Sequence, residues 1–273
     1  MIAEDTLLRT AVFGVLLVLF TSLESLFPQK KRTQKRFHRW FSNFGVLVIG
    51  TALARLIVPL APVAAAIWVQ SLGIGILNSV DISTLVSGVL TFILLDLLIY
   101  GQHRLFHSVP LLWRLHRMHH TDLDLDVTSG LRFHPLEILF SLTIKILAVC
   151  ILGAPPFAVL VFEMVLNGTS MFNHSNLRIP LILERILRLF VVTPDMHRVH
   201  HSVIHREMNS NFGFNIPVWD RIFKTYLSSP SRGNSGMTIG LPIFRDERSI
   251  KLISLLVQPF VDSSSPGSKK GGG

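Results

Sequence analysis

Cysteine is almost absent: Cys150 is the only one among 273 residues. One thiol makes no internal disulfide, no four-thiolate zinc site and no iron–sulfur cluster, so any metal must be held by other side chains. Charged residues are also scarce at 16%, and a mean hydropathy of +0.49 excludes a disordered chain. Acidic residues are the scarcer kind, with 17 Asp and Glu against 26 Lys and Arg. Many of the basic residues stand beside hydrophobic runs, so the excess points to anionic lipid headgroups and not to nucleic acid. The apolar fraction of 49% is ordinary, but it is bunched into runs of membrane-spanning length. That pattern predicts an integral membrane protein.

Leu7 to Phe27 is the first such run. It lacks a strongly basic leader and a small-residue cleavage site and carries Glu24 near its end, so it reads as a retained span and not a signal peptide. The densest basic block follows, with Lys30, Lys31, Arg32, Lys35, Arg36 and Arg39. The positive-inside rule places that block in the cytoplasm and the N-terminus outside. Phe44 to Val69 is long for one upright helix, and Pro59 and Pro62 predict a span plus a re-entrant or interfacial piece. Thr84 to Tyr100 then returns the chain to the cytoplasmic side. Pro135 to Gly153 and Pro155 to Met171 read as a hairpin of helices, across which Lys145 and Glu163 are expected to pair. These give four to five membrane-embedded helices, with every histidine-rich segment on the cytoplasmic side. Pro180 to Val192 puts Glu184, Arg185 and Arg188 on one face and suits a helix lying in the interface. Residues 1–262 are expected to form one membrane-embedded domain, and 263–273, mostly Ser, Gly and Lys, a disordered tail.

Eleven of the twelve histidines fall between residues 103 and 205, where an even spread would place about four or five. His103 and His107 are four apart, so on a helix they share a face. His116, His119 and His120 have the spacing i, i+3, i+4, and His197, His200 and His201 repeat it. His134 and His174 stand singly at the ends of the proposed hairpin. Neutral imidazole suits zinc, copper, iron and nickel, and eight or more ligands exceed what one ion uses, so two ions are implied, with iron favoured. A zinc peptidase would place Glu after the first histidine, but Arg117 and Arg198 stand there. A pH sensor would not need two copies of one ligand spacing. His38 and His205 read as ordinary interfacial residues.

The segments HRLFH, HRMHH, RFHPLE (Arg132 to Glu137), NHSN (Asn173 to Asn176), DMHRVHHS (Asp195 to Ser202), NSNFG (Asn209 to Gly213) and PVWDRIFKTY (Pro217 to Tyr226) resemble, in order and spacing, the fatty acid hydroxylase / sterol desaturase superfamily of membrane di-iron enzymes. The likeness runs from about residue 90 to 226, with Lys224 where the family commonly has Gly. It implies an all-α integral membrane fold with a cytosolic helical cap enclosing two iron ions, for which zinc can substitute in purified protein. It also implies His103, His107, His116, His119, His120, His134, His174, His197, His200 and His201 as ligands. Asp96, Glu137 and Asp195 are close enough in sequence to orient ligand imidazoles.

The activity so implied is O2-dependent oxidation of a lipid C–H bond, with hydroxylation and desaturation both open and sterol, acyl, alkylglycerol, sphingoid and carotenoid substrates all compatible. No flavin, haem, nicotinamide or ferredoxin motif occurs, so electrons are expected from a ferredoxin or cytochrome b5-type carrier and its reductase. Arg114, Arg117, Arg198 and Arg206 offer a basic face for such a carrier or for phosphate headgroups. A membrane zinc hydrolase, with Glu137 as base, and a non-enzymatic metal-binding protein are the alternatives.

Overall fold

Apolar run length and proline position together set the helix boundaries. A computed structural model describes residues 2–261, with side chains from residue 6 onward; the tail expected over 263–273 lies outside the described residues. The first half forms α1 (Ile2–Leu26), α2 (Arg36–Ile57), α3 (Pro62–Ser71), α4 (Thr84–Ser108) and α5 (Pro110–His120). The second half forms α6 (Pro135–Leu152), α7 (Pro156–His174), α8 (Leu181–Leu187), α9 (Pro194–His200), α10 (His205–Met208), α11 (Val218–Ile222), α12 (Gly233–Gly236) and α13 (Leu252–Val257). Among the described residues there is no strand, only isolated bridges between Pro28 and Leu177 and between Ser202 and Ile239. Proline occupies the first turn of α3, α5, α6, α7 and α9. Its missing N–H costs nothing there and its fixed φ is already helical.

Four stretches are long and apolar enough to cross a membrane: Thr6–Leu26, Arg36–Asn78, Thr84–Ser108 and Pro135–Leu152. The long second run is broken as the prolines predict, with α2 ending at Ile57 and α3 starting at Pro62. At ten residues, α3 rises only about 15 Å, half the hydrocarbon core. It inserts its buried Val63, Ala65, Ala66 and Val69 against α6 and α7. Its exit loop depends on glycine: Gly75 has φ 109°, and a Cβ there would lie 2.3 Å from the Gly153 backbone. Gly153, left-handed at φ 65°, ends α6 at the turn of the expected hairpin. α7 is not among the four spanning stretches. It packs against α1, α3 and α4, and its buried Glu163 accepts from Lys145 Nζ at 3.1 Å and from Arg9 Nη1 at 2.5 Å. α8 exposes Leu181 and Ile182 while Glu184 turns inward to accept from Arg188 and Thr193.

The basic block after α1 does more than face a membrane. Arg39 is fully buried and donates two hydrogen bonds of 2.8 Å to the Asp122 carboxylate and one of 2.6 Å to Asp126. Glu24, also buried, accepts from Arg32, Arg36 and the backbone N–H groups of Val127 and Asn176. These contacts tie α1 and α2 to the loop after α5 and to the end of α7. Burial alone would raise the Asp122 pKa, but the guanidiniums of Arg39 and Arg132 hold it down, from 3.8 to about 2.

Removing one partner of a buried ion pair typically costs about 3–5 kcal/mol, because the other charge is left uncompensated. Arg39→Ala is therefore expected to lower the unfolding temperature of detergent-purified protein far more than Lys35→Ala, an exposed neighbour. Asp122 has a depressed folded pKa, so its stabilisation is complete above about pH 4 and lost as pH falls towards 2. Thermal unfolding measured from pH 5 to pH 2 should show this loss in the parent protein and a smaller one in Arg39→Ala.

Candidate metal centre

Helical periodicity places the histidines, and four helices bring them together. His103 and His107 lie in the last two turns of α4, the first triplet on α5, His174 at the end of α7, and the second triplet on α9 and its C-cap. Thr193 caps α9, its hydroxyl accepting from Met196 N at 3.3 Å, and Pro194 follows in the first turn.

Their ring nitrogens converge in two groups, each within 4.8 Å internally: His103, His107, His116, His120 and His200, then His119, His174, His197 and His201. At about 100° per residue, positions i and i+4 of an HxxHH triplet are about 40° apart, and i+3 points about 60° to the other side. On α5 the i, i+4 pair, His116 and His120, joins the first group while His119 joins the second. On α9 the exchange is reciprocal: His197 and His201 join the second group and His200 the first. Each triplet thus bridges both groups.

Hydrogen bonding among the rings does not account for this arrangement. The Nε2 atom of His174 is 3.0 Å from both His119 Nε2 and His197 Nε2, and His197 Nε2 is a further 3.2 Å from His201 Nε2. A neutral ring nitrogen has one proton or one lone pair, so it satisfies only one such neighbour. In the first group, Nε2 of His103, His116 and His200 is buried with no hydrogen-bond partner. Two donors about 2.1 Å from one ion and at right angles stand about 3 Å apart, which is the separation these rings show.

The opposite edges of several rings are anchored, whereas Nδ1 of His107, His197 and His201 is buried without a hydrogen-bond partner. Nδ1 of His103 donates to Phe212 O and Nδ1 of His200 to Ser210 O, both at 2.8 Å. Nδ1 of His174 donates to Ser170 O at 2.7 Å, and Nδ1 of His116 to Glu137 Oε1 at 2.6 Å. A proton fixed on Nδ1 leaves the Nε2 lone pair free for a cation. His119 stacks on Phe133 with ring centroids 4.4 Å apart. Burial, reinforced by neighbouring imidazoles, pushes His119, His120, His197 and His201 well below 6.5. Burial brings His200 down to about 3. These five rings are therefore neutral at pH 7, the form that binds metal.

Nine of the ten expected ligands lie in these groups, and His134 lies in neither. It is the N-cap of α6: Nδ1 accepts from Leu136 N at 3.2 Å, leaving Nε2 to donate to Leu256 O at 3.1 Å. Both of its nitrogens are committed to backbone. His205 pairs with Asn209 outside the groups. Of the three carboxylates expected behind the ligands, Glu137 touches a histidine, Asp96 accepts from Trp219 Nε1 at 2.8 Å, and Asp195 accepts from Arg198 and Asn234. The expected basic docking face is also reduced, because Arg117 and Arg198 are buried.

The support of His103 and His200 comes from a residue the sequence reading did not single out. Asp220, buried within the PVWDRIFKTY segment, accepts from the N–H groups of Phe212 and Gly213, both at 2.8 Å. Asn211, at φ 50°, fastens the same strap through Met196 O and Leu227. The strap then presents the Ser210 and Phe212 carbonyls to the two rings. A buried acid within a recognised motif was the available signal, but its partners were not readable.

Residues 88–225 match the family described as fatty acid hydroxylase. Ornithine lipid hydroxylase OlsE of Rhizobium tropici is 30% identical over 172 residues, covering 63% of this chain and 50% of that one. Alkylglycerol monooxygenase of Xenopus tropicalis is 32% identical over 157 residues, 55% of this chain and 32% of its own. Cholesterol 25-hydroxylase of Rattus norvegicus is 28% identical over 184 residues, 67% of this chain and 61% of its own. The chain thus spans between about a third and three fifths of these relatives. No solved structure matches it. With the match extending over half of its length and containing all nine converging histidines, the chain belongs to the fatty acid hydroxylase family.

Proposed function

We propose that the protein uses two iron ions and O2 to oxidise an unactivated C–H bond of a membrane lipid, by hydroxylation or desaturation, with the site on the cytoplasmic side. The observation carrying this reading is the pair of five- and four-imidazole groups, with Nε2 of His103, His116 and His200 buried and unpartnered. The three relatives act, by name, on an ornithine lipid, an alkylglycerol and cholesterol. Their variety supports the lipid class and no single lipid. In the proposed assignment His103, His107, His116, His120 and His200 hold one ion, and His119, His174, His197 and His201 the other.

When bound, the iron pair supplies the reduction of O2 and the removal of hydrogen from an alkyl carbon. The chain's own part is to position and to exclude. Phe106, Phe133, Phe212 and Phe214 wall the imidazoles and keep water away. Glu137 retains the His116 Nδ1 proton contact and so keeps that ring's lone pair directed inward. The same contact commits Glu137, the candidate base of a hydrolase, to a supporting role. His107 is the only ring of the nine that is partly exposed. It lies 4.9 Å from Trp113 and next to the exposed Leu105, Val109 and Leu111, the side from which an alkyl chain would enter.

Replacing any one of His103, His107, His116, His120, His197 or His201 with Ala is expected to abolish lipid oxidation and to lower bound iron from about two per chain, measured by elemental analysis. His134→Ala should keep its iron and lose only the roughly 1 kcal/mol of a helix cap. Full iron and activity in two of the six variants would sink the assignment.

Purified protein should not turn over with NAD(P)H alone. Adding a ferredoxin or cytochrome b5-type carrier with its reductase should start O2 consumption and oxidised-lipid formation together. Turnover of lipid without any reductant would favour the zinc hydrolase instead.

The orientation is tested with single cysteines in a Cys150→Ser background. An impermeant reagent added to intact cells should label Ser79→Cys and spare Lys35→Cys and Ser235→Cys, all three being exposed positions. Labelling of either of the latter two would reverse the assigned side.

A further inference from the structure

A cavity of about 180 Å³ lies away from the two histidine groups, between the segment after α1, the loop after α5 and the stretch 237–245. Lys30, Lys31, Arg32, Arg198 and Arg245 line it, with Asp124 as the one carboxylate in its wall.

The charges in this wall do not balance. Asp124 is committed to the chain itself, accepting from Thr33 N, Thr33 Oγ1 and Gln34 N at 2.6–3.0 Å. Arg198 pairs with Asp195, and Arg32 shares Glu24 with Arg36. Among the described residues, no carboxylate lies within salt-bridge distance of Lys30, Lys31 or Arg245. Lys30 Nζ donates to Met237 O at 2.6 Å. Arg245 Nη1 donates to Ile239 O at 3.1 Å and Leu241 O at 2.9 Å. Carbonyl partners hold these groups in place but do not neutralise them. In addition, the Nε atoms of Arg32 and Arg198 are buried with no hydrogen-bond partner. A positioned set of cations with donors to spare is what a phosphoryl oxygen cluster requires.

Depth in the membrane narrows the source. The exposed apolar Leu26 and Phe27 end the first span just before the cavity, and the exposed Phe37 and Phe41 follow it on α2. Side chains that face lipid therefore flank the basic segment on both sides, which sets the cavity at headgroup level.

We propose that this cavity is an anion site that takes a phosphoryl group, supplied by a phospholipid headgroup or by free phosphate. The proposal does not depend on the metal centre or on the oxidation assigned to it. It assigns Lys31 and Arg245 the part of exposed recognition groups, with Lys30 and Arg198 beneath them.

The test uses full-length protein in a non-ionic maltoside detergent free of phosphate. Dihexanoyl phosphatidylglycerol, dihexanoylglycerol and inorganic phosphate are titrated separately by calorimetry. Saturable binding of phosphatidylglycerol is expected, with none of dihexanoylglycerol. Lys31→Glu, which leaves the Arg245 carbonyl bonds intact, should weaken that binding at least ten-fold, as should Lys31→Gln combined with Arg245→Gln. Bound iron in both variants should equal that of the parent, which separates the site from the histidine chamber and from misfolding. Phosphatidylglycerol binding at least ten-fold tighter than phosphate identifies the lipid as the source; equal affinities identify free phosphate. Failure of both phosphorylated probes to bind, or unchanged affinity in both variants, overturns the site.

Discussion

Nine imidazoles gathered into two buried groups are the constraint around which the rest of the molecule is built. Nitrogen lone pairs crowded 3.0–3.2 Å apart gain nothing from one another, and each is costly to bury without a partner. The surroundings hold several of the rings from behind. That is the role of the Phe212, Ser210 and Ser170 carbonyls and of Glu137. Each anchor fixes a proton on the outer ring nitrogen and turns the inner one into a donor for a cation.

The anchors depend in turn on segments beyond the family match at residues 88–225. Arg39 on α2 and Glu24 on α1 clamp the loop that follows α5, so these two helices, both ahead of the match, support the histidine-bearing segments. From the other end, Gln258 accepts from Thr121, which itself accepts from Arg132. Arg132 also donates to the Met118 carbonyl, beside His119. Charges that would be expensive inside the fold are tolerated because each is met by several partners. The shared energetic logic is that a buried charge meets opposite charge: Arg39 two aspartates, Glu163 both Arg9 and Lys145. The cavity lined by Lys30, Lys31 and Arg245 stands out because it breaks that rule.

Helix faces, spans and breaks were legible in the sequence because they follow from local rules. Spacings of three and four residues place side chains on one face, about 20 apolar residues cross the core, and proline cannot continue a helix. Pro59 and Pro62 marked the break between α2 and α3, Lys145 and Glu163 the pairing across α6 and α7, and HxxHH the two helices whose histidines converge.

The tertiary structure alone decided how those faces combine. His119 and His200, each the i+3 member of its triplet, leave their own helix neighbours and join the opposite group, which depends on where α5 and α9 sit relative to α4 and α7. His134 shares the residue type and the helix-end position of His174, yet it caps α6 with one nitrogen and reaches Leu256 with the other. Arg39 looked like one more charge in a basic block, and Asp220 like one acid in a motif. Their partners lie 83 residues away for Arg39 with Asp122, and across a loop for Asp220 with Phe212 and Gly213. Spacing along a chain specifies which residues share a face, whereas the partner across the gap is set by packing.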